Sequence, residues 1–267
     1  MSSPQPRSRY RCLVTWVLAL ALLISLAVIV GLVWIARLFY ARELAVRLQP
    51  VGPSHFAVTG KQSGLRVLFL GDSRVLDWPP LPPDRFLTIN AGVAGETTAQ
   101  ILLRTESALD AESPAVVVVQ AGINDLKAIG VMPGPAERIR SQCVTNLQEI
   151  ASLCRKHHVR TILTTIPPSG KVPIGRRLVW SPEIDASVKE VNQALLRLYA
   201  TNEEVVVLDI DGVLRASRRA PSDLSDYRDT LHLQPSAYGK LEPELLRVVE
   251  RLSPPPAPVQ PESTTNK

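Results

Sequence analysis

Two kinds of apolar pattern divide the chain. From Cys12 to Ala36 the sequence CLVTWVLALALLISLAVIVGLVWIA carries no charge, and roughly 20 apolar residues of helix suffice to cross a bilayer. Beyond Gly64 the apolar runs become short and recurrent: Leu65 to Leu70, Phe86 to Asn90, Ala115 to Gln120, Val159 to Ile166 and Glu204 to Ile210. They are rich in β-branched residues, as strands buried on both faces tend to be. Between them, segments with helical spacing cover Glu96 to Leu109, Ala136 to His157, Pro182 to Tyr199 and Pro235 to Leu252. The second ends in the basic run RKHH, which suits the negative end of a helix dipole. Strands alternating with helices predict a three-layer α/β/α domain around a mainly parallel, doubly wound, five-stranded sheet, preceded by one transmembrane helix.

The same pattern predicts the organisation. Residues 1–11 form a basic tail, 12–36 a membrane anchor, 37–64 a juxtamembrane stalk punctuated by Pro50, Gly52, Pro53 and Gly60, 65–252 the folded domain, and 253–267 a proline-rich disordered tail. A cleaved signal peptide competes with the anchor, but Phe39 stands where cleavage wants a small residue. Three arginines before the span and three after it leave the charge bias nearly balanced. A short basic tail resists translocation, so the expected topology is single-pass, with the domain outside the cytoplasm.

Composition adds little to this. At 267 residues and 45 % apolar content there is room for one α/β domain plus appendages. Much of the +5 formal charge lies beside the apolar segment, at Arg7, Arg9, Arg11, Arg37, Arg42 and Arg47, and so argues poorly for nucleic acid. Cys143 and Cys154 fall on one expected helix, about 16 Å apart at 1.5 Å per residue. A disulfide needs Cα atoms within about 7 Å, so both are expected as small core residues, with no metal-ligand spacing around them.

Open parallel sheets bind ligands beyond the carboxyl ends of their strands. The turns there read GDS (Gly71 to Ser73), NAGVAGETT (Asn90 to Thr98) and AGIND (Ala121 to Asp125), with DTLH (Asp229 to His232) just ahead of the last helix. These four blocks, in this order, resemble the SGNH or GDSL hydrolase family of serine esterases and lipases, over residues 65 to 252. The resemblance implies a flavodoxin-like sheet, ester hydrolysis without metal or organic cofactor, and a triad of Ser73, Asp229 and His232. It also implies an oxyanion hole made by the backbone N–H groups of Ser73 and Gly95 and the side-chain amide of Asn124.

The residue types suit that chemistry. A serine hydroxyl becomes nucleophilic when a base takes its proton, the part His232 would play. Asp229 can accept from the other ring nitrogen and fix the tautomer. Gly95 lets backbone approach a substrate closely, and Asn124 offers an uncharged N–H donor.

Arg74 and Lys127 are expected either to make a cationic rim favouring an anionic substrate or to pair with Asp72 and Asp125. In the segment Pro167 to Ile184, Leu178, Val179 and Trp180 are candidates for an acyl pocket or for ordinary packing. Substrates implied by the resemblance range from short-chain esters and lysophospholipids to thioesters and O-acetylated glycans. The run VVVLDIDGVL looks instead like the opening of a Mg-dependent phosphatase motif with Asp209 and Asp211, but under 60 residues follow it. A membrane-tethered binding module without activity is the other alternative. No G-x-S-x-G, H-E-x-x-H or G-x-x-x-x-G-K-[ST] occurs.

Overall fold

The computed structural model describes residues 6–48, 56–217 and 223–253. The expected proline-rich tail from 254 onward lies outside the described residues. The chain forms two compact units, residues 1–50 and 51–267.

In the first unit one helix, α1, runs from Pro6 to Leu48. Its stretch Tyr10–Ala41 is apolar and long enough to cross a membrane. The helix extends past the expected anchor into the expected stalk, because ARELAVRL, residues 41–48, consists largely of strong helix formers and contains neither Gly nor Pro.

The second unit is built on a six-stranded sheet in the order β1-β3-β2-β4-β5-β6. The strands are β1 (Ala57–Gly60), β2 (Leu65–Gly71), β3 (Phe86–Gly92), β4 (Val116–Gln120), β5 (Arg160–Thr164) and β6 (Val205–Leu208). Five run parallel, and β1 lies antiparallel along β3, pairing Ala57 with Asn90. Sequence reasoning expected five strands and read 57–60 as stalk. Every β1 residue is exposed, so no apolar alternation marks it. A turn closed by the Gly64 N–H donating to the Lys61 carbonyl (2.9 Å) folds it back as an edge strand.

Strand period two sorts the core. Leu68, Leu70, Val117 and Val119 face a layer formed by α3 (Thr98–Glu112), α5 (Ala136–Lys156) and α6 (Pro182–Leu198). Val67, Phe69, Val116 and Val118 face the opposite layer, formed by α2 (Ser73–Leu76), α7 (Ile210–Ala216) and α8 (Pro235–Leu252). Cys143 and Cys154 are free thiols buried in the first layer, where burial pushes both upward in pKa. The remaining short helix, α4 (Ile123–Leu126), follows β4 directly.

Register sets up the site. Gly71 at the end of β2 pairs with Gly92 of β3 and Gln120 of β4, so the three carboxyl ends finish level. The close approach needs glycine, since a Cβ on Gly71 would stand 2.1 Å from the Gln120 carbonyl oxygen and one on Gly92 2.2 Å from the Leu76 nitrogen. The chain can therefore turn from β2 straight into α2 against its neighbours.

Candidate active site

Asp72 caps α2, its Oδ1 accepting the Arg74 N–H at 2.9 Å. This leaves Ser73 as the first helical residue, directly beyond the end of β2. His232 Nε2 lies 3.0 Å from Ser73 Oγ, and His232 Nδ1 lies 2.7 Å from Asp229 Oδ2. Asp229 Oδ1 accepts the backbone N–H groups of Leu231 (2.7 Å) and His232 (2.9 Å), so its second oxygen is aimed at the ring. Partial burial pushes this carboxyl up, but the two N–H groups and the imidazole more than offset that and hold it at about 2. An aspartate ionised across the working range fixes the ring with Nδ1 carrying the proton and Nε2 free to accept from serine.

Gly95 has φ +84, and nothing lies within 4 Å of where a Cβ would project. That left-handed residue opens the turn between β3 and α3 toward solvent. Asn124, buried at the start of α4, donates from Nδ2 to the Glu96 carbonyl at 2.8 Å and keeps its second amide hydrogen for another acceptor. Lys127 donates to Asn124 Oδ1 at 2.6 Å, fixing the amide's orientation and polarising its N–H groups. Asp125 accepts from the Thr98 N–H (2.9 Å) and Thr98 Oγ1 (2.6 Å), tying the start of α3 to α4. Burial pushes the Asp125 carboxyl up, against those bonds.

One expectation changes. Arg74 is fully buried and lines no rim. Its Nε donates to the Leu231 carbonyl and its Nη1 to the Pro167 carbonyl, each at 2.8 Å, so it clamps the histidine turn and the loop after β5 behind the serine. Beside it Asp72 is also fully buried, and its Oδ2 has no hydrogen-bond partner among the described residues. Burial raises this carboxyl to about 6, against the opposing pull of the Arg74 guanidinium. Lys127, expected on the rim or paired with a carboxylate, holds the Asn124 amide, and its charge pulls against the raised carboxyls of Asp72 and Asp125.

Trp180 packs against the core layer of α3, α5 and α6, with the Arg176 guanidinium 5.6 Å from its ring centroid. Leu178 stands 89 % exposed. The carboxylates of the rival phosphatase reading make contacts within the fold. Asp209 Oδ1 accepts from Thr165 Oγ1 (2.9 Å) and the Gly212 N–H (3.0 Å), capping α7, and Asp211 pairs with Arg215.

Sequence reasoning missed Arg104 and Glu96. Both are buried; Arg104 Nη2 lies 2.7 Å from Glu96 Oε2 and also donates to the carbonyls of Ala91 (2.8 Å) and Gly71 (3.1 Å). The pair braces the turn that carries Gly95 against the end of β2. One signal was available, since Arg104 interrupts the buried face of α3 formed by Ile101, Thr105 and Ala108.

Serine, histidine and aspartate hydrogen-bonded in series, at the carboxyl edge of a parallel sheet and beside unpaired N–H donors, form the arrangement of a serine hydrolase. Residues 41–240 match the model of the GDSL-like Lipase/Acylhydrolase family. The chain belongs to that family.

An arylesterase of Vibrio mimicus is 30 % identical over 125 residues, which span 40 % of this chain and 58 % of that protein. This chain therefore covers less than two thirds of that relative. Among solved structures, a GDSL-like lipase from Bacteroides thetaiotaomicron aligns with a TM-score of 0.56 at 23 % identity, over 70 % of this chain and 88 % of that one. The aryl esterase of M. smegmatis aligns with a TM-score of 0.54 at 17 % identity, over 71 % and 100 %. Axe2, an acetylxylan esterase from Geobacillus stearothermophilus, gives 0.56 at 15 % identity, over 73 % and 96 %. At these identities the solved structures speak for the fold.

Proposed function

We propose that the protein is a membrane-anchored serine esterase that cleaves carboxylic esters, of the carboxylesterase or lysophospholipase kind, through an acyl-enzyme on Ser73. The observation that carries this reading is the continuous hydrogen-bonded relay from Ser73 Oγ through His232 to Asp229. His232 takes the serine proton as Oγ attacks the acyl carbon, and then gives it to the leaving alcohol. Water, deprotonated by the same ring, releases the acid and restores the serine. The tetrahedral oxyanion is received by the backbone N–H groups of Ser73 and Gly95 and by Asn124 Nδ2, each such donor being worth about 10²–10³ in rate. No step calls on a metal or organic cofactor.

In this reading α1 is a retained anchor. Residues 65–252 together with the β1 strand form the catalytic domain, which faces away from the cytoplasm. A second reading, O-acetylesterase activity on cell-envelope glycans, is favoured by the fold shared with acetylxylan esterases.

The test is hydrolysis of p-nitrophenyl acetate and butyrate by the full chain in detergent, alongside Ser73→Ala, with fluorophosphonate labelling. Turnover and labelling should both vanish in the variant. A folded wild type that neither turns over nor labels would return the protein to the binding-module reading. Strict preference for acetyl esters over octanoyl and lysophospholipid esters would select the glycan reading.

A further inference from the structure

The loop after β5 and the turn after α4 carry a surface that the proposed chemistry does not use. Between Pro167 and Ser181 the sequence PPSGKVPIGRRLVWS contains Lys171, Arg176 and Arg177 and no acid; AIGVMPGP, residues 128–135, contains no charged residue. Ile174 is 81 % exposed and Leu178 89 %, and Val131, Met132 and Val179 are also solvent-facing. Residues Ile174–Leu178 form one short 3₁₀ turn with no buried member. Among the described residues the side chains of Lys171 and Arg177, both exposed, meet no carboxylate. Of the acids that follow in sequence, Glu183 lies beside Arg140, and Asp185 is engaged by Ser169 through both its oxygens.

The ends of this loop are fixed at the two halves of the site. At one end the Gly170 N–H donates to the Thr230 carbonyl (2.8 Å) and Thr230 Oγ1 to the Lys171 carbonyl (3.0 Å), so the loop is stitched to the turn that holds Asp229 and His232. At the other end the Val179 carbonyl oxygen would stand 2.3 Å from a Cβ placed on Gly130, so it packs on the turn that follows Asn124 and Lys127. The exposed apolar side chains thus lie on a strap running from the histidine side of the site to the oxyanion side.

Bare aliphatic side chains among unpaired cations match one kind of partner, a surface with an apolar interior and an anionic face. Cations are drawn to the negative headgroup layer, and the leucine and isoleucine gain by leaving water for the acyl region. An acidic glycan would engage the cations and leave Ile174 and Leu178 in water. We propose that the 171–179 loop, with the Val131–Met132 turn beside it, docks on an anionic lipid bilayer and brings the site to esters held there. The inference rests on the ester-hydrolase reading of the same site and deepens it by naming lipid-embedded esters as the substrate class.

The test uses the full chain in lipid nanodiscs, where α1 can be accommodated whether or not the loop touches lipid. An environment-sensitive fluorophore is placed at Leu178→Cys in a Cys12→Ser background, Cys143 and Cys154 being buried. In discs containing phosphatidylglycerol, nitroxide-labelled lipids should quench it strongly; in phosphatidylcholine alone, quenching should fall. Separately, turnover of a long-chain p-nitrophenyl ester in the bilayer should drop roughly tenfold in Ile174→Ser/Leu178→Ser and in Lys171→Gln/Arg177→Gln, with p-nitrophenyl acetate in water unaffected.

An unquenched label, or embedded-ester turnover equal to wild type in both variants, overturns the proposal. So does protection of the label by a soluble acidic polysaccharide without lipid quenching, which would assign the surface to a glycan. Failure of the wild type on p-nitrophenyl acetate would strike the ester-hydrolase reading instead, and the quenching arm would still decide docking.

Discussion

Replacing Arg74 with methionine tests whether the residue behind the nucleophile holds the histidine. The substitution keeps an unbranched chain in the same space and removes two buried donors, the bonds to the Leu231 and Pro167 carbonyls at 2.8 Å. Hydrogen bonds from a charged donor contribute about 1.5–3 kcal/mol each, so the gross loss is about 3–6 kcal/mol. Relief from burying the guanidinium returns part of this, leaving a net loss on the order of 3 kcal/mol. At roughly 2–4 °C per kcal/mol for a domain of this size, Tm should fall by about 6–12 °C.

Turnover should suffer separately, because Leu231 precedes His232 directly. A displacement of about 1 Å there can cost roughly 10²-fold, so kcat should fall about 10- to 100-fold with KM little changed. Asp72 supplies a pH signature. Its carboxyl stands raised to about 6 from 3.8, so the folded state keeps a proton that the unfolded chain releases, and this contribution to stability is present below pH 3.8 and lost as pH rises toward 6. Without the Arg74 charge the pKa rises further, and the loss of stability with pH extends to higher pH in the variant. Thermal unfolding of the full chain in detergent across mildly acid to neutral pH, with ester kinetics, measures all three. An Arg74→Met protein with wild-type Tm and wild-type kcat would refute the clamp.

Three further outcomes follow from the same geometry. Lys127→Met removes the donor 2.6 Å from Asn124 Oδ1 and should lower kcat roughly tenfold or more, with KM steady and affinity for a boronic acid inhibitor falling in parallel; unchanged boronate affinity would count against polarisation of the amide. Gly95→Ala meets no neighbour but forces a side chain onto a φ of +84, at about 1–2 kcal/mol, so fluorophosphonate labelling should slow far more than Tm falls. Asp209→Ala should cost about 1 kcal/mol of helix capping, read as a small drop in Tm, and leave ester turnover intact. Loss of phosphate-monoester hydrolysis in that variant, with Ser73→Ala harmless, would revive the phosphatase alternative.

The parts of the fold written in local pattern were legible beforehand. The five parallel strands and four long helices follow from β-branched runs and helical spacing, and four short blocks marked the turns where Ser73, Gly95, Asn124 and His232 stand. The rest depended on contacts distant in sequence. Strand β1 is exposed along its whole length, and only its pairing with β3 makes it a strand. Arg74 and Lys127 read as rim cations or as partners of Asp72 and Asp125, because lysine and arginine mostly sit at the surface. What buries or occupies them is Leu231, 157 positions away from Arg74, and Asn124, whose side-chain rotamer no pattern specifies. Asp209 and Asp211 resembled a phosphoryl acceptor because a strand end followed by a capped helix places acids and a glycine in the same order.

Adjacent residues Ser73 and Arg74 face opposite ways, one toward substrate and one into the interior, and this divides the molecule for anyone who wishes to redesign it. Randomising position 74 to change selectivity should mostly return destabilised, slower enzymes, because alternatives leave the Leu231 and Pro167 carbonyls without their buried donor. The strap from 171 to 179 is free of that debt. A library there can vary charge, bulk and length while the relay beneath keeps its shape, so evolution toward a new ester has its open ground one loop away from the nucleophile.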